Sequence, residues 1–419
     1  MARHGIREYD AKRMLAKDLS SYDGRVAMVG PGDDINAVAE QNPWMKEEKL
    51  VAKPDQLFGK RGKNGLVLLN KDLAETSAWI EEKRNKEKTL LSGVTGTLSH
   101  FIIEPFTELD GDFEYYLSIE MDAHGDILRL SNKGGVDVEE NWDLVVETVV
   151  DPLKGYEADA IQKVIDDLYP EGQRAGIAKF VKEVFDHYEK GGYTYLEINP
   201  FTIAGGEVIP LDMVAKVDGT AEFECRGMWG KLDFPAPFGQ KLTDEEEFIR
   251  EVDSKTGSSL KLTVLNPKGR IWNMVAGGGA SVVYADTVCD LGASKELAIY
   301  GEYSGNPNKQ NTYQYAKTVI DMMTREKDAQ GRPKILLIGG GIANFTDVAK
   351  TFTGIIMAIE EYAAKLKEVD ARIYVRRGGP NYKEGLAKIK AAVEKVGLPI
   401  EVHGPEAHMT QIVADALGQ

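Results

Sequence analysis

Ile271-Trp-Asn-Met-Val-Ala-Gly-Gly-Gly-Ala-Ser281 and Ile335-Leu-Leu-Ile-Gly-Gly-Gly-Ile-Ala-Asn-Phe-Thr346 are the two stretches on which the fold turns. Each is a short apolar run that ends in three glycines and leads into residues able to open a helix, the mark of a strand leaving a sheet through a tight βα turn. Working outward, strands are expected at Lys261–Leu265, Ile271–Val275, Leu297–Tyr300, Ile335–Ile338, Arg372–Val375 and Ile400–Val402, each of the last four preceded by a helix. Such alternation implies a parallel sheet with right-handed crossovers, whose ligands sit at the strand C-termini. The second half is therefore expected to be a doubly wound α/β domain.

Upstream the pattern changes. Tyr9–Leu19 and Leu73–Lys86 read as helices and Leu50–Lys53, Leu66–Leu69 and Phe101–Ile103 as strands, in no regular alternation. Two hairpins are expected. Tyr115–Met121 and Ile127–Leu130 flank Asp122-Ala-His-Gly125, while Tyr193–Ile203 and Glu207–Ala215 flank Gly205-Gly206, a pair that tolerates positive φ. Between them Ala175–Glu189 has helical spacing, and hairpins mixed with helices make this half α+β. The stiff Phe234-Pro-Ala-Pro-Phe238 and the acidic Thr243–Glu247 mark the boundary, giving domains at 1–235 and 260–419 joined by a linker and helix at 236–259.

The chain has 419 residues, room for about two to four domains of roughly 100–200 residues. Lys and Arg total 51 against 67 Asp and Glu, a formal charge of −16. That balance lacks the field that drives binding to a phosphate backbone, so nucleic acid is set aside as a partner. An anionic substrate must then be held by a local concentration of cations and bare amides. Cys225 and Cys289 show no metal-binding spacing and suit a reducing cytoplasm. No apolar run approaches the roughly 20 residues of a membrane span, and residues 1–10 contain no apolar export core.

Several strand ends carry groups suited to anions. Gly277-Gly-Gly279 enters a helix opening at Ala280-Ser281, presenting uncovered N–H groups and the positive end of a helix dipole. Glycine for turn geometry alone explains one such turn equally well. Gly339-Gly-Gly341 repeats the arrangement, leading to Asn344-Phe345-Thr346 at the next helix start. Arg376-Arg377 closes a further strand, where a guanidinium could clamp a carboxylate bidentately. Strand alternation sends the two side chains to opposite faces, so only one is expected to be a ligand. This crevice suits a small polycarboxylate or a phosphate.

In the first half Lys53 ends a strand, and Lys60-Arg61-Gly62-Lys63 follows as a basic loop. It is either a phosphate clamp or, more commonly for such runs, a solvated charge cluster. Glu197 and Asn199 share a strand face, with Asp212 placed to meet Asn199 across the hairpin. A carboxylate and an amide carbonyl converging with phosphate oxygens suit Mg²⁺; an ordinary polar hairpin is the alternative.

Basic loop, exit strand, carboxylate hairpin and α/β domain in this order resemble the ATP-grasp CoA-ligase family, and most closely the N-terminal part of its ATP-citrate lyase branch, across nearly the whole chain. The segments that carry the resemblance are Lys53-Pro-Asp-Gln-Leu57, Ile103-Glu-Pro-Phe106, Gly134-Gly-Val-Asp137, Tyr195-Leu-Glu-Ile-Asn-Pro200, Leu262–Ala285, Gly301-Glu-Tyr-Ser-Gly305, Ile342-Ala-Asn-Phe-Thr346 and Val375-Arg-Arg-Gly-Gly-Pro-Asn-Tyr382. The resemblance implies an α+β ATP-grasp module followed by a doubly wound, flavodoxin-like α/β CoA-ligase domain. It implies that Lys53 with Lys60 or Arg61 holds ATP phosphates, that the backbone of Pro105 and Thr107 holds the adenine, and that Glu114 binds the ribose hydroxyls. Asn199 and Asp212 would carry Mg²⁺, and Glu197 would orient an incoming histidine, making Glu197 and Lys53 the expected catalytic pair. Citrate would be held by Gly305, Asn344, Phe345, Thr346, Tyr362 and Arg377, and a phosphohistidine steadied by Gly278, Gly279 and Ala280. Asp253, in Asp253-Ser-Lys-Thr256, resembles part of a second cation site, with a solvated cap of the linker as the alternative.

Two positions depart from the family's pattern. Lys60 is usually arginine there, and Gly341 is often serine, so only the amide of Gly341 can act. None of the six histidines sits in the family's phosphohistidine context: His100, His124 and His187 lie on strand, turn and helix of the first half, His403 and His408 flank the last helix start, and His4 is terminal. Each reads as structural or solvated. The resemblance therefore places the nucleophilic histidine, the CoA site and a citrate-synthase-like lyase module on a larger partner subunit, with ATP, citrate and CoA as substrates and Mg²⁺ as cofactor. A citryl-CoA synthetase, with the same chemistry and no lyase module in the partner, is the nearest rival. A succinyl-CoA synthetase β subunit holds its acid in the partner and needs no citrate pocket here. A non-catalytic citrate and nucleotide sensor is the rival of another class.

Overall fold

Leu117 and Ile119 of the strand Tyr115–Asp122, and Leu196 and Ile198 of the strand Tyr193–Ala204, are buried without remainder, and these two strands form the centre of an antiparallel sheet. In this computed structural model, which describes residues 3–20, 22–108 and 113–419, the sheet runs in the order Arg3–Ile6, Met213–Asp218, Tyr193–Ala204, Tyr115–Asp122, Gly125–Ser131, Val146–Val150, with Glu207–Pro210 added to Tyr193–Ala204. The helix Glu171–Lys190 repeats Ile177, Phe180, Val181, Val184 and Phe185 at helical spacing, and that stripe packs into the sheet's core. A smaller antiparallel sheet, in the order Ala27–Val29, Phe101–Pro105, Leu50–Pro54, Leu68–Lys71, has its own core around Phe101, Ile103, Ala52 and Ile80.

One expected strand is broken. Instead of a continuous Glu207–Ala215, the ladder stops at Pro210 and resumes at Met213. Pro210 has no N–H to continue it, and the chain is instead pinched against Pro200, with Leu211 N–H donating to the Pro200 carbonyl and Asn199 N–H to the Asp212 carbonyl. The break leaves the Leu211 carbonyl and the Asp212 carboxylate outside the ladder.

The chain divides into two units, Met1–Lys241 and Leu242–Gln419. The stretch expected as a linker does not form a separate piece. Phe238 is buried in the core of the smaller sheet, whereas the helix Asp244–Ser254, started by a capping box between Thr243 and Glu246, buries Ile249 in the second unit.

The second unit is one six-stranded sheet in the order Ser259–Val264, Ile299–Ser304, Ile271–Ala276, Ile335–Gly340, Arg372–Arg376, Ile400–His403. Helices Lys309–Met323, Val348–Glu361 and Tyr382–Lys395 bury Val319, Phe352 and Ile389 on one face, and Gly278–Val288 and Gln411–Leu417 bury Tyr284 and Ile412 on the other. It is doubly wound, with one departure from an all-parallel sheet: Ser259–Val264 lies antiparallel to Ile299–Ser304. The short turn that follows Ser259–Val264 cannot hold the dozen or more residues of a crossover, so that strand takes the sheet's edge in the opposite sense.

Candidate active site

Lys53, the last cationic residue of its strand, is 4 % exposed, and its ammonium is surrounded. Its Nζ lies 2.8 Å from Glu8 Oε1, 2.9 Å from the Leu211 carbonyl, 3.3 Å from Glu104 Oε2 and 3.6 Å from Asp212 Oδ1. Arg61 is equally buried, donating to Glu8 Oε2 at 2.6 Å, to the Pro54 carbonyl at 3.0 Å and, through the same Nη2, to Asp212 Oδ1. Lys12 completes the group against Glu8, Glu104 and the Leu211 carbonyl. Three cations thus face Glu8, Glu104 and Asp212. Burial opposes ionisation of Glu8, but Lys12, Lys53 and Arg61 outweigh it and hold its carboxyl well below the usual range. The sequence assigned no role to Glu8, Lys12 or Glu104, because an acid in a helix's first turn carries no sign that it will be buried.

Glu8 is set in place by its helix. Glu8–Leu15 opens on Arg7, which offers no side-chain cap. Asp55, just past the Lys53 strand, serves instead by accepting from the N–H of Glu8 at 2.8 Å and of Tyr9 at 3.0 Å.

Of these groups Lys53, Arg61, Glu104, Leu211 and Asp212 lie on the wall of a cavity of about 1010 Å³ in the first unit. The structure brings to it Lys53, Lys60, Arg61, Pro105, Thr107, Glu114, Glu197, Asn199 and Asp212, the residues expected for the nucleotide, its cation and the incoming histidine. Within the basic loop Lys60 and Arg61 differ: Arg61 turns into the buried cluster, while Lys60, at φ 58°, stands exposed at the rim. Gly135 joins the other wall. Its N–H donates to Asn199 Oδ1 at 2.6 Å, and a Cβ there would stand 2.1 Å from Glu114 Oε2, so glycine is what lets Glu114 and the Asn199 amide approach. Glu197 accepts from the Tyr195 hydroxyl, whose own proton is held more tightly by burial and by that carboxylate. Among the described residues no histidine lines this cavity. His187, with Asp18 and Tyr193 on its two ring nitrogens, is fully buried core.

The oxygen donors suit a hard cation. Asn199 Oδ1 has a second lone pair beyond the one given to Gly135, and both cation contacts of Asp212 use Oδ1, so Oδ2 of this one-third exposed side chain is available.

In the second unit Arg376 and Arg377 do point to opposite faces. Arg376 is spent on backbone, donating to the carbonyls of Gly340, Pro405 and Ala407. Arg377 is 5 % exposed and donates only to the Gly341 carbonyl, at 2.7 Å; among the described residues no carboxylate pairs with it, and burial weakens its hold on its proton. Gly340 makes room for it, since a Cβ there would stand 2.7 Å from Arg377 Nη1. The Asn344-Phe345-Thr346 segment leaves the same strand just after Ile342 bridges to Gly378, with Phe345 exposed. Gly278–Val288 begins on Gly277 with no side-chain cap, leaving the amides of Gly278, Gly279 and Ala280 at a bare helix start, beside the Glu302 carboxylate, which a Cβ on Gly278 would meet at 3.1 Å.

One expectation needs correction here. Gly339 and Gly340 are strand residues rather than a turn: Gly339 lacks a side chain because the ring of Tyr284 lies 2.4 Å from where its Cβ would be, and the helix begins later, at Val348 under the Asp347 cap. Tyr362 follows that 14-residue helix, and its hydroxyl is given to Asp321 Oδ1. Asp253 accepts from the Leu260 N–H at 2.7 Å with one oxygen and pairs with Lys261 at 2.6 Å through the other. Gly305 follows the strand Ile299–Ser304, two strands along the sheet from Ile335–Gly340, and lines a hollow of about 740 Å³ with Thr256, Gly257, Ser258 and Asn308.

Comparison with known proteins covers both units. The family described as ATP-citrate synthase ATP-grasp domain matches residues 2–229, and that described as ATP citrate lyase citrate-binding matches residues 240–419. ATP-citrate synthase alpha chain protein 2 of Oryza sativa subsp. japonica is 49 % identical over all of this chain and 98 % of its own length. ATP-citrate synthase of Homo sapiens is 45 % identical over all of this chain, which spans only 38 % of that protein. Among solved structures, ATP citrate lyase from Methanothrix soehngenii in complex with citrate and coenzyme A shares 50 % identity, full coverage of both chains and a TM-score of 0.88.

Proposed function

The chain belongs to the ATP-citrate lyase family through both its ATP-grasp and its citrate-binding region, and on that premise we propose that it is the nucleotide- and citrate-binding subunit of an ATP-citrate lyase divided between two polypeptides. Relatives of this chain's own length stand beside a human one of which it spans 38 %, which supports a larger partner carrying the phosphohistidine and the lyase module.

ATP would occupy the first unit's cavity, its adenine against the backbone of Pro105 and Thr107, its ribose hydroxyls on Glu114 and its phosphates among Lys53, Lys60 and Arg61. Asn199 and Asp212 would hold Mg²⁺, which neutralises phosphate charge during transfer. Drawing Asp212 away from Arg61 releases that guanidinium for a phosphate oxygen. The γ-phosphoryl then passes from ATP to a ring nitrogen of the partner's histidine, breaking one P–O bond, forming one P–N bond and releasing ADP. Glu197 holds the far side of the imidazole. In the second unit the amides of Gly278 to Ala280 steady the phosphohistidine while Arg377, Asn344 and Thr346 orient citrate, whose carboxylate oxygen takes the phosphoryl group. The CoA thiol displaces phosphate from citryl phosphate, and the partner cleaves citryl-CoA to acetyl-CoA and oxaloacetate. Positioning and charge stabilisation do this work. We assign the enzyme to the cytoplasm, in keeping with its two free thiols, Cys225 and Cys289.

The observation that carries the citrate reading is Arg377, a buried guanidinium with, among the described residues, a single carbonyl partner and no counter-ion. Calorimetric titration of the chain should show heat with citrate and none with succinate, and Arg377→Ala should weaken citrate at least tenfold, about 1.4 kcal/mol. Heat from succinate alone, or unchanged citrate affinity in Arg377→Ala, would overturn the assignment.

A further inference from the structure

A third polar cluster lies apart from both sites, at the other edge of the second sheet. Glu401 and His403 are two residues apart on the edge strand Ile400–His403 and project from one face, while Ile400 and Val402 pack into the opposite core. Asp415 of the helix Gln411–Leu417 lies beside them, and one ligand-capable atom from each of the three lies within 4.8 Å of the others.

Hydrogen bonding does not satisfy this group. His403 Nε2 is 2.8 Å from Glu401 Oε1 and 3.4 Å from Asp415 Oδ2. One ring nitrogen carries at most one proton, and the Glu401 oxygen takes it. Asp415 Oδ2 is buried without a hydrogen-bond partner, and protonating the ring does not help, because the second proton sits on Nδ1. Gln411 Nε2 donates to Asp415 Oδ1 at 2.8 Å, which fixes the carboxylate with its other oxygen toward His403. A buried carboxylate oxygen left in this state is costly.

We propose that Glu401, His403 and Asp415 bind a divalent transition-metal ion of the zinc class. One imidazole nitrogen and two carboxylate oxygens are a donor set for such an ion, with metal–ligand distances of about 2.0–2.2 Å and water in the fourth position. Tetrahedral ligands at those distances stand roughly 3.4 Å apart, the separation already present between His403 Nε2 and Asp415 Oδ2. His403 binds as the tautomer protonated at Nδ1. The ion takes the place of the proton between Nε2 and Glu401 and supplies the partner that Asp415 Oδ2 lacks. Its role is structural. It ties the final helix to the sheet edge and steadies the intervening loop, whose Pro405 and Ala407 carbonyls hold Arg376.

The test uses full-length protein stripped with a chelator. Zn²⁺ at low micromolar concentration should raise the thermal midpoint, and equilibrium dialysis should show one ion lost in His403→Ala. Glu401→Gln, at an exposed position where folding is not at risk, should weaken binding at least tenfold, while His408→Ala, at an exposed histidine in the same loop, should leave it unchanged. Wild-type protein without a Zn²⁺-dependent rise, or a rise equally large in Glu401→Gln and His403→Ala, would overturn the proposal.

Discussion

Asp55 shows how much a single buried side chain can weigh. Burial and the Glu8 charge push its carboxyl up to about 6 from 3.8, so between those values the folded chain keeps a proton that the unfolded chain has released. The folded state is therefore least penalised below about pH 4 and loses stability as pH rises to about 6, by about 3 kcal/mol in total. Asp55→Asn removes that slope, so its thermal midpoint relative to wild type should climb between pH 4 and 7; a difference independent of pH would contradict the burial argument. Glu8 behaves in the opposite way, since Lys12, Lys53 and Arg61 all depend on it. Glu8→Gln leaves three buried cations facing two acids and should cost roughly 3–5 kcal/mol, read from chemical denaturation. A loss below about 1 kcal/mol would mean that Glu104 and Asp212 suffice.

At the scale of elements, the strand Ile335–Gly340 carries two adjacent glycines with different duties. Gly339 faces the ring of Tyr284, which is fully buried and anchored by its hydroxyl to the Met409 carbonyl, so the ring cannot yield. Gly339→Ala should lower stability by about 1–3 kcal/mol through overpacking while the folded protein still binds citrate. Gly340 faces the movable end of Arg377. Gly340→Ala should displace that guanidinium and weaken citrate at least tenfold in whatever protein folds. Thermal unfolding and citrate calorimetry on the two variants separate these effects, and wild-type citrate affinity in Gly340→Ala would disprove the link between the glycine and the arginine. The break at Leu211–Asp212 has the same logic. By leaving the ladder, the chain turns one carbonyl and one carboxylate toward Lys12, Lys53 and Arg61.

Taken whole, the molecule separates its two anion sites into two units, with Lys53 and Arg61 in one and Arg377 in the other. Withholding Mg²⁺ should therefore abolish ATP-dependent phosphorylation of the partner's histidine and leave the heat of citrate binding unchanged. Loss of both without Mg²⁺ would contradict its assignment to Asn199 and Asp212 alone. The formal charge of −16 belongs to the exterior; the cations that matter are the few that folding has desolvated.

The sequence by itself determined most of the succession of elements and the doubly wound second half, which rest on local periodicity and on glycines near strand ends; the residues expected at the nucleotide came from the family resemblance. It could not reveal that Glu8 and Glu104 counter the charges of Lys53 and Arg61 with Lys12 among them, because residues about 45 to 200 positions apart meet only when sheets close. Nor could it distinguish Gly339 from Gly340, whose duties differ by which face of the sheet each meets; strand alternation left Arg376 and Arg377 equivalent, and only the family resemblance selected Arg377. Burial and pairing are properties of the packed state, and there alone was it decided which charges remain free to hold a ligand.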